Sequence, residues 1–184
     1  MQLYLIRHGQ TDYNAQHLIQ GWSDIPLNEA GRQQAQALPA TIAAQNISCD
    51  AIFASDLQRA AQTAEPTAHA LHLPIVKSWL LRERCFGEYE GTNSDAMAWD
   101  EINARPDAAA ARGVEKQSNV DARLRDFLHS LRLYPRRLKQ VLIFTHGGTL
   151  NHFCSLLRPD HEFCRFDNGE IVTLEWHETE LKLS

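Results

Sequence analysis

The sequence predicts an α/β fold: a three-layer sandwich with a mostly parallel central sheet and helices on both faces. Three observations lead there. Continuous apolar runs occur at Leu3-Tyr4-Leu5-Ile6, Ala51-Ile52-Phe53-Ala54 and Val141-Leu142-Ile143-Phe144, the pattern of strands buried on both faces. Stretches with helical spacing of apolar residues lie between them, so strands and helices alternate and the sheet is expected to be parallel. The first and last runs also break off in two similar corners, Arg7-His8-Gly9 and Thr145-His146-Gly147-Gly148. Ligands of such sheets bind beyond the carboxyl ends of the strands, where both corners fall.

Taken in order, residues 3–6 form the first strand, and the polar residues 8–27 an irregular loop beyond it. Asn28 is placed to N-cap a helix running to about Asn46, which Pro39 should kink or shorten. Residues 50–54 are the second strand. Ser55, with Gln58 three positions on, reads as a capping box for the next helix, whose core stripe is Leu57, Ala61, Ala64, Ala68 and Leu71, with Pro66 as an interruption. Arg59 lies about 200° from Leu57, off that stripe and in the first turn. Pro74-Ile75-Val76 is a short strand. Residues 79–93 form a loop carrying Trp79, Glu83 and Gly87-Glu88-Tyr89-Glu90-Gly91. A short helix is expected over 94–104, then a segment of unassigned structure to about 117. Ser118 or Asn119 should cap a helix with Val120, Leu124, Phe127, Leu128 and Leu131 on one face. After the strand at 141–144, a helix carries Leu150, Phe153, Cys154 and Leu157. Residues 170–176 and 180–183 read as terminal strands. Trp22 and Trp79 read as packing residues, Cys49 and Cys154 as core filler, and His152 as surface or supporting.

The 184 residues fit one domain with a sizeable core. Hydrophobic content of 43% and charged content of 22% are ordinary for a globular chain. A net charge of −5 argues against a general nucleic-acid binder. The cations are mostly arginine, with four lysines, which suits bidentate anion recognition. The cysteines at 49, 85, 154 and 164 have no metal-type spacing, so reduced thiols and a cytoplasmic setting are expected. No cationic leader precedes the first strand, and no apolar stretch approaches the ~20 residues that span a bilayer, so no membrane partner is expected.

Five blocks in order carry a resemblance. They are Leu5-Ile6-Arg7-His8-Gly9-Gln10-Thr11 with Asn14; Gln20-Gly21 with Asp24, Pro26, Leu27 and Gly31; Ser55-Asp56-Leu57 with Arg59, Ala60, Thr63 and Ala64; Glu83 with Gly87, Glu90 and Gly91; and Thr145-His146-Gly147-Gly148. Val120-Asp121, Arg123 and Leu124 fit the helix before the last block. Together they resemble the histidine phosphatase superfamily, also called the phosphoglycerate mutase-like family. The resemblance implies that His8 is a nucleophile accepting a phosphoryl group, with Arg7, Arg59 and His146 holding its oxygens. It makes Glu83 the general acid and places Asn14, Gln20, Gly21 and Gly147 at phosphate- or substrate-contacting positions. A neutral ring nitrogen is the physical requirement for the nucleophile. Neighbouring arginines disfavour a charged imidazole, and the other ring nitrogen needs an acceptor such as the Gly9 carbonyl.

No cofactor or metal is implied, and the expected partner is a small phosphate ester; a homodimer is compatible with the chain. The family holds both phosphatases and mutases. Relative to the family pattern, the stretch from 92 to 118 is short, and Gly113-Val114-Glu115-Lys116-Gln117-Ser118 replaces a Pro-Gly-Gly-Glu-Ser segment, so the substrate lid is expected to be reduced. A reduced lid admits water and favours hydrolysis. The chain's size resembles small bacterial phosphatases of the family, including those acting on α-ribazole phosphate and broad-specificity phosphomonoesterases. The reading is therefore a phosphomonoesterase. The alternatives are a phosphoglycerate mutase, a non-catalytic phospho-ligand binding protein, and a metal-dependent hydrolase using His8 and His146, disfavoured because no acidic cluster accompanies them.

Overall fold

The computed structural model describes residues 1–96, 98–134, 137–158 and 160–177. Its strands are β1 (Gln2–Arg7), β2 (Ala51–Ser55), β3 (Ile75–Ser78), β4 (Gln140–Thr145) and β5 (Ile171–Glu175). They form a five-stranded sheet in the order β3-β2-β4-β1-β5. The first four are mutually parallel, and β5 runs antiparallel along β1. The helices are α1 (Asp12–Ala15), α2 (Glu29–Ala44), α3 (Gln58–Leu71), α4 (Trp99–Ala104), α5 (Pro106–Ala111), α6 (Gln117–Arg132) and α7 (Gly147–Leu157). Among the described residues no helix is long and apolar enough to cross a membrane.

The continuous apolar runs are explained by two cores, one on each face of the sheet. Alternate side chains of a strand point to opposite faces. Leu3, Leu5, Ala51, Phe53, Val141 and Ile143 join Val120, Leu124, Phe127 and Leu128 of α6 and Leu150 and Phe153 of α7. Ile6, Ile52, Ala54, Leu142 and Phe144 join Leu38 and Ile42 of α2 and Ala64 and Ala68 of α3. This is the three-layer arrangement the sequence predicts.

Several local expectations are corrected. Pro39 and Pro66 lie inside α2 and α3, and neither helix ends there. Leu38 and Ile42 bracket Pro39, and Thr67 and Ala68 follow Pro66, all buried, so packing on the sheet carries each helix past its missing hydrogen bond. Ser55 does not cap α3: it ends β2, and Leu57 is the N-cap without a side-chain bond. The free N–H of Gln58 is instead taken by the carboxylate of Asp24, at 2.7 Å. Helix α6 begins at Gln117, ahead of Ser118 and Asn119, with Lys116 as an N-cap that makes no side-chain bond. Val114 bridges to Phe86 and Val120 N bonds Lys116 O, so the first turn starts from that anchor. Residues 94–104 split into a 3₁₀ turn at Ser94–Ala96 and α4, and α5 occupies the unassigned segment. Trp79 is 55% exposed, not packed, and Cys49 is only half-buried. Asn28 does cap α2, accepting from Gly31 N. The strand expected at 180–183 lies outside the described residues.

Arg123 sits on the core face of α6, buried. It donates to both oxygens of Glu115 and to the carbonyls of Leu80 and Glu83. Removing one partner of a buried pair strands the other charge. Glu115→Ala is expected to lower unfolding free energy by about 3–5 kcal/mol in urea denaturation; a loss below about 1 kcal/mol would contradict this account of the loop's anchor.

Candidate active site

Strands β1 and β4 are adjacent and parallel, with Arg7 in register with Thr145. One residue further, His8 and His146 leave neighbouring strand ends side by side. Their rings lie 5.2 Å apart, edge on at 60°. The chain then diverges, from β1 toward α2 on one face and from β4 into α7 on the other. This is a topological switch point, where an open α/β sheet leaves a crevice. A cavity of about 410 Å³ occupies it. Arg7, His8, Asn14, Gln20, Gly21, Arg59, Glu83 and Gly147 line the cavity. His146 lies beneath them, fully buried.

The two histidines are held in opposite tautomers. His8 Nδ1 is 2.7 Å from the Gly9 carbonyl, which can only accept. Nδ1 therefore carries the hydrogen and Nε2 the lone pair, as expected for a nucleophilic nitrogen. His146 Nδ1 instead faces the Nε–H of Arg59 at 3.1 Å, and an arginine can only donate. His146 is thus a donor at Nε2, and that buried nitrogen has no partner. One ring offers an electron pair and the other an N–H. Burial, followed by the charges of Arg59 and Arg7, pushes the His8 imidazole well below its usual range, against the opposing Gly9 bond. Burial and then Arg59 do the same to His146. Both rings are neutral at physiological pH.

Arg59 is fully buried. Besides His146, it donates to Ser23 O at 2.9 Å and Gly21 O at 2.7 Å. Burial lowers its guanidinium to about 10, with Glu83, Asp24 and Glu90 opposing, so it stays charged. Three of its five N–H groups are thus engaged, leaving two for an oxyanion. Arg7 donates to the Phe166 carbonyl, and its buried Nε has no partner.

Glu83 is set by its backbone. Thr145 Oγ1 donates to Leu81 O, Thr149 Oγ1 to Arg82 O, and Trp22 Nε1 to Glu83 O. Its carboxylate lies at the N-terminus of α7, accepting from Gly148 N at 2.9 Å and Thr149 N at 3.1 Å, where free N–H groups attract negative charge. A Cβ on Gly148 would lie 2.5 Å from Glu83 Oε1, so only glycine admits the carboxylate here.

Asn14 closes a capping box with Thr11. Gln20 accepts from Thr11 Oγ1 at 2.8 Å, and Gly21 offers its carbonyl to Arg59; both serve the pocket wall as well as lining it. Sequence reasoning missed Asn168, whose Nδ2 donates to His8 O at 2.9 Å. It also missed Asn151, which ties α7 to Cys164 and lines the cavity. The Asn168-Gly169 turn before β5 was the available signal for the first; an asparagine inside a helix gave none for the second. His152 is buried, not superficial, and pairs with Asp121 at 2.7 Å.

The fold and site define an α/β protein whose switch-point crevice carries two neutral histidines and two arginines. The family model for the histidine phosphatase superfamily (branch 1) matches residues 3–184, and the chain belongs to that superfamily. It is 32% identical over 183 residues to an uncharacterized phosphatase, PhoE, of Bacillus subtilis (strain 168), covering 97% of this chain and 90% of that one. It is 33% identical over 158 residues to a 2,3-bisphosphoglycerate-dependent phosphoglycerate mutase of Bartonella quintana, covering 80% and 77%. The solved structure of a mycobacterial glucosyl-3-phosphoglycerate phosphatase superposes with a TM-score of 0.77 at 26% identity, covering 95% of this chain and 92% of that one.

The depressed histidines set a pH dependence of stability. Below about pH 6.5 the unfolded chain binds protons at His8 and His146 that the folded chain refuses, so stability falls with pH. The expected slope is about 1.4 kcal/mol per pH unit for each histidine. The double variant His8→Gln/His146→Gln should lose this component in denaturant titrations between pH 6.5 and 5. Identical slopes would show that the rings are not held neutral.

Proposed function

We propose that this protein is a phosphomonoesterase that hydrolyses a small phosphorylated metabolite through a phosphohistidine on His8, without a metal ion or cofactor. The observation carrying this reading is the pair of opposed tautomers: a lone pair on His8 Nε2 beside an unpartnered N–H on His146 Nε2. The phosphoryl group sits between them. His146 Nε2–H, the two remaining N–H groups of Arg59 and Arg7 Nε–H hold its non-bridging oxygens. Fixed donors of this kind are what phosphoryl transfer requires, since it depends mostly on positioning and electrostatic stabilisation.

His8 Nε2 attacks phosphorus as the ester P–O bond breaks. Glu83, as the general acid, passes a proton to the departing alkoxide. A water molecule then attacks the phosphohistidine, Glu83 takes back a proton, and the P–N bond breaks to release phosphate and restore neutral His8. A cavity of about 410 Å³ is on the scale of a drug-sized ligand and has space for water beside a short phosphorylated alcohol. That supports hydrolysis over return of the phosphoryl group to a sugar acid. Ser94 and Asp95 of the 3₁₀ turn and Trp99 of α4 contribute to the wall, and we assign them the reading of the alcohol.

Brief reaction with labelled substrate should leave protein-bound phosphate that is lost in acid and survives alkali. His8→Ala should abolish this label and lower turnover by on the order of 10⁴–10⁶, and excess chelator should leave wild-type turnover unchanged. Normal turnover by His8→Ala would sink the mechanism. Accumulation of isomerised phosphoglycerate in place of free phosphate would identify a mutase.

A further inference from the structure

The segment Gly87-Glu88-Tyr89-Glu90-Gly91 contains two chemically equivalent glutamates, and they are treated differently. Glu88 is exposed. Glu90 is half-buried, and its carboxylate collects four hydrogen bonds from neutral N–H and O–H donors. Oε1 accepts from Trp22 N at 2.9 Å and Phe86 N at 3.0 Å. Oε2 accepts from Ser23 N at 2.8 Å and Ser23 Oγ at 2.7 Å. Burial pushes this carboxyl up, but the bonds from Ser23, Trp22 and Phe86 outweigh it and hold the group below the ordinary carboxylate range.

The other side of the same turn faces Arg59. The Trp22 N–H and the Gly21 C=O belong to one planar, trans peptide group, so they point in opposite directions. The N–H meets Glu90 Oε1, and the C=O meets Arg59 at 2.7 Å. A single peptide dipole therefore lies between a carboxylate and a guanidinium, with its positive end toward the anion and its negative end toward the cation. Aligned hydrogen bonds of this kind polarise one another. Gly21 makes the approach feasible. Its φ is +50°, and a Cβ there would lie 2.1 Å from Glu90 Oε1.

We infer that Glu90 is a positioning residue for the phosphate clamp. It fixes the Gly21–Trp22 peptide, which fixes Arg59, whose Nε in turn fixes the tautomer of His146. This rests on the reading that Arg59 and His146 receive the phosphoryl group. Glu90 itself touches neither substrate nor phosphate.

The test is a double-mutant cycle read by inorganic phosphate binding in calorimetry and by turnover of a chromogenic phosphomonoester. Glu90→Gln places an NH₂ against donors and should weaken phosphate binding and kcat/KM by about 10- to 100-fold, the range for partners one shell removed. Arg59→Met removes the receiving end. In that background Glu90→Gln should cost less than about twofold more, since coupled groups are non-additive. A simple loop staple predicts instead that the two losses multiply, and that result overturns the proposal. The ¹⁵N shifts of His146 should change tautomer pattern in Glu90→Gln; an unchanged pattern also counts against it. If Glu90→Gln does not fold, Ser23→Ala takes its place in the cycle, with a loss of a few-fold and the same non-additivity required. Wild-type protein that neither binds phosphate nor forms phosphohistidine would overturn the functional reading and this inference with it. Wild-type activity combined with multiplying losses overturns this inference alone.

Discussion

A guanidinium removed from water must have acceptors for its N–H groups or the fold loses several kcal/mol. Arg59 is such a group, and much of the pocket is arranged by its needs. It draws the carbonyls of Gly21 and Ser23 back over the start of α3, so the loop after β1 returns across the sheet's edge. In that position Asp24 reaches the first N–H of α3, closing the helix whose first turn carries Arg59. The third acceptor is a ring nitrogen of His146, which converts an ambiguous imidazole into a defined donor. One charge thus shapes a loop, completes a helix end and sets a tautomer.

The sheet supplies what the arginine cannot, the adjacency of the two histidines. Parallel pairing of β1 with β4 leaves no freedom about which residues emerge together, since a slip of one residue would turn every apolar side chain to the wrong core. The two cores lock that register from both faces. Electrostatics then work in a consistent direction. Cations held in a poorly solvated pocket favour neutral imidazoles, and the carboxylate of Glu83, whose charge favours the guanidinium forms of Arg7 and Arg59, is held at the start of α7. The charges of Arg7 and Arg59 oppose one another across the crevice.

Elements whose causes are local could be read from the sequence. The buried strands are apolar at every position because both faces are covered, and the cap at Asn28 and the His8 bond to the Gly9 carbonyl involve near neighbours. Five ordered blocks also marked the positions that now converge on the cavity. What could not be read depends on contacts between distant segments. Ser55 and Gln58 matched a capping pattern, yet the cap came from Asp24 across the fold. Pro39 and Pro66 looked like interruptions until the sheet packed against their helices. The fourth block singled out Glu90 and passed over Glu88, but what Glu90 holds shows only once the 20–24 loop is in place. His152 read as surface or supporting, and the sequence could not choose between them because its partner, Asp121, lies on a different helix.

The place of β1 has a consequence for how this protein comes into being. The strand that leads into His8 lies far ahead of its partners in the chain: β1 begins at residue 2, whereas its two neighbours, β4 and β5, begin at residues 140 and 171. During synthesis that apolar strand waits for partners until those later segments emerge, and non-local pairing of that kind closes slowly. The pocket draws on both ends of this span, since Arg7 and His8 share its wall with Gly147, Gly148 and Phe166. The antiparallel β5, which contributes no side chain to the cavity, covers the edge of β1 that β4 leaves open, so a strand outside the pocket wall completes the hydrogen bonding of the strand that leads into it.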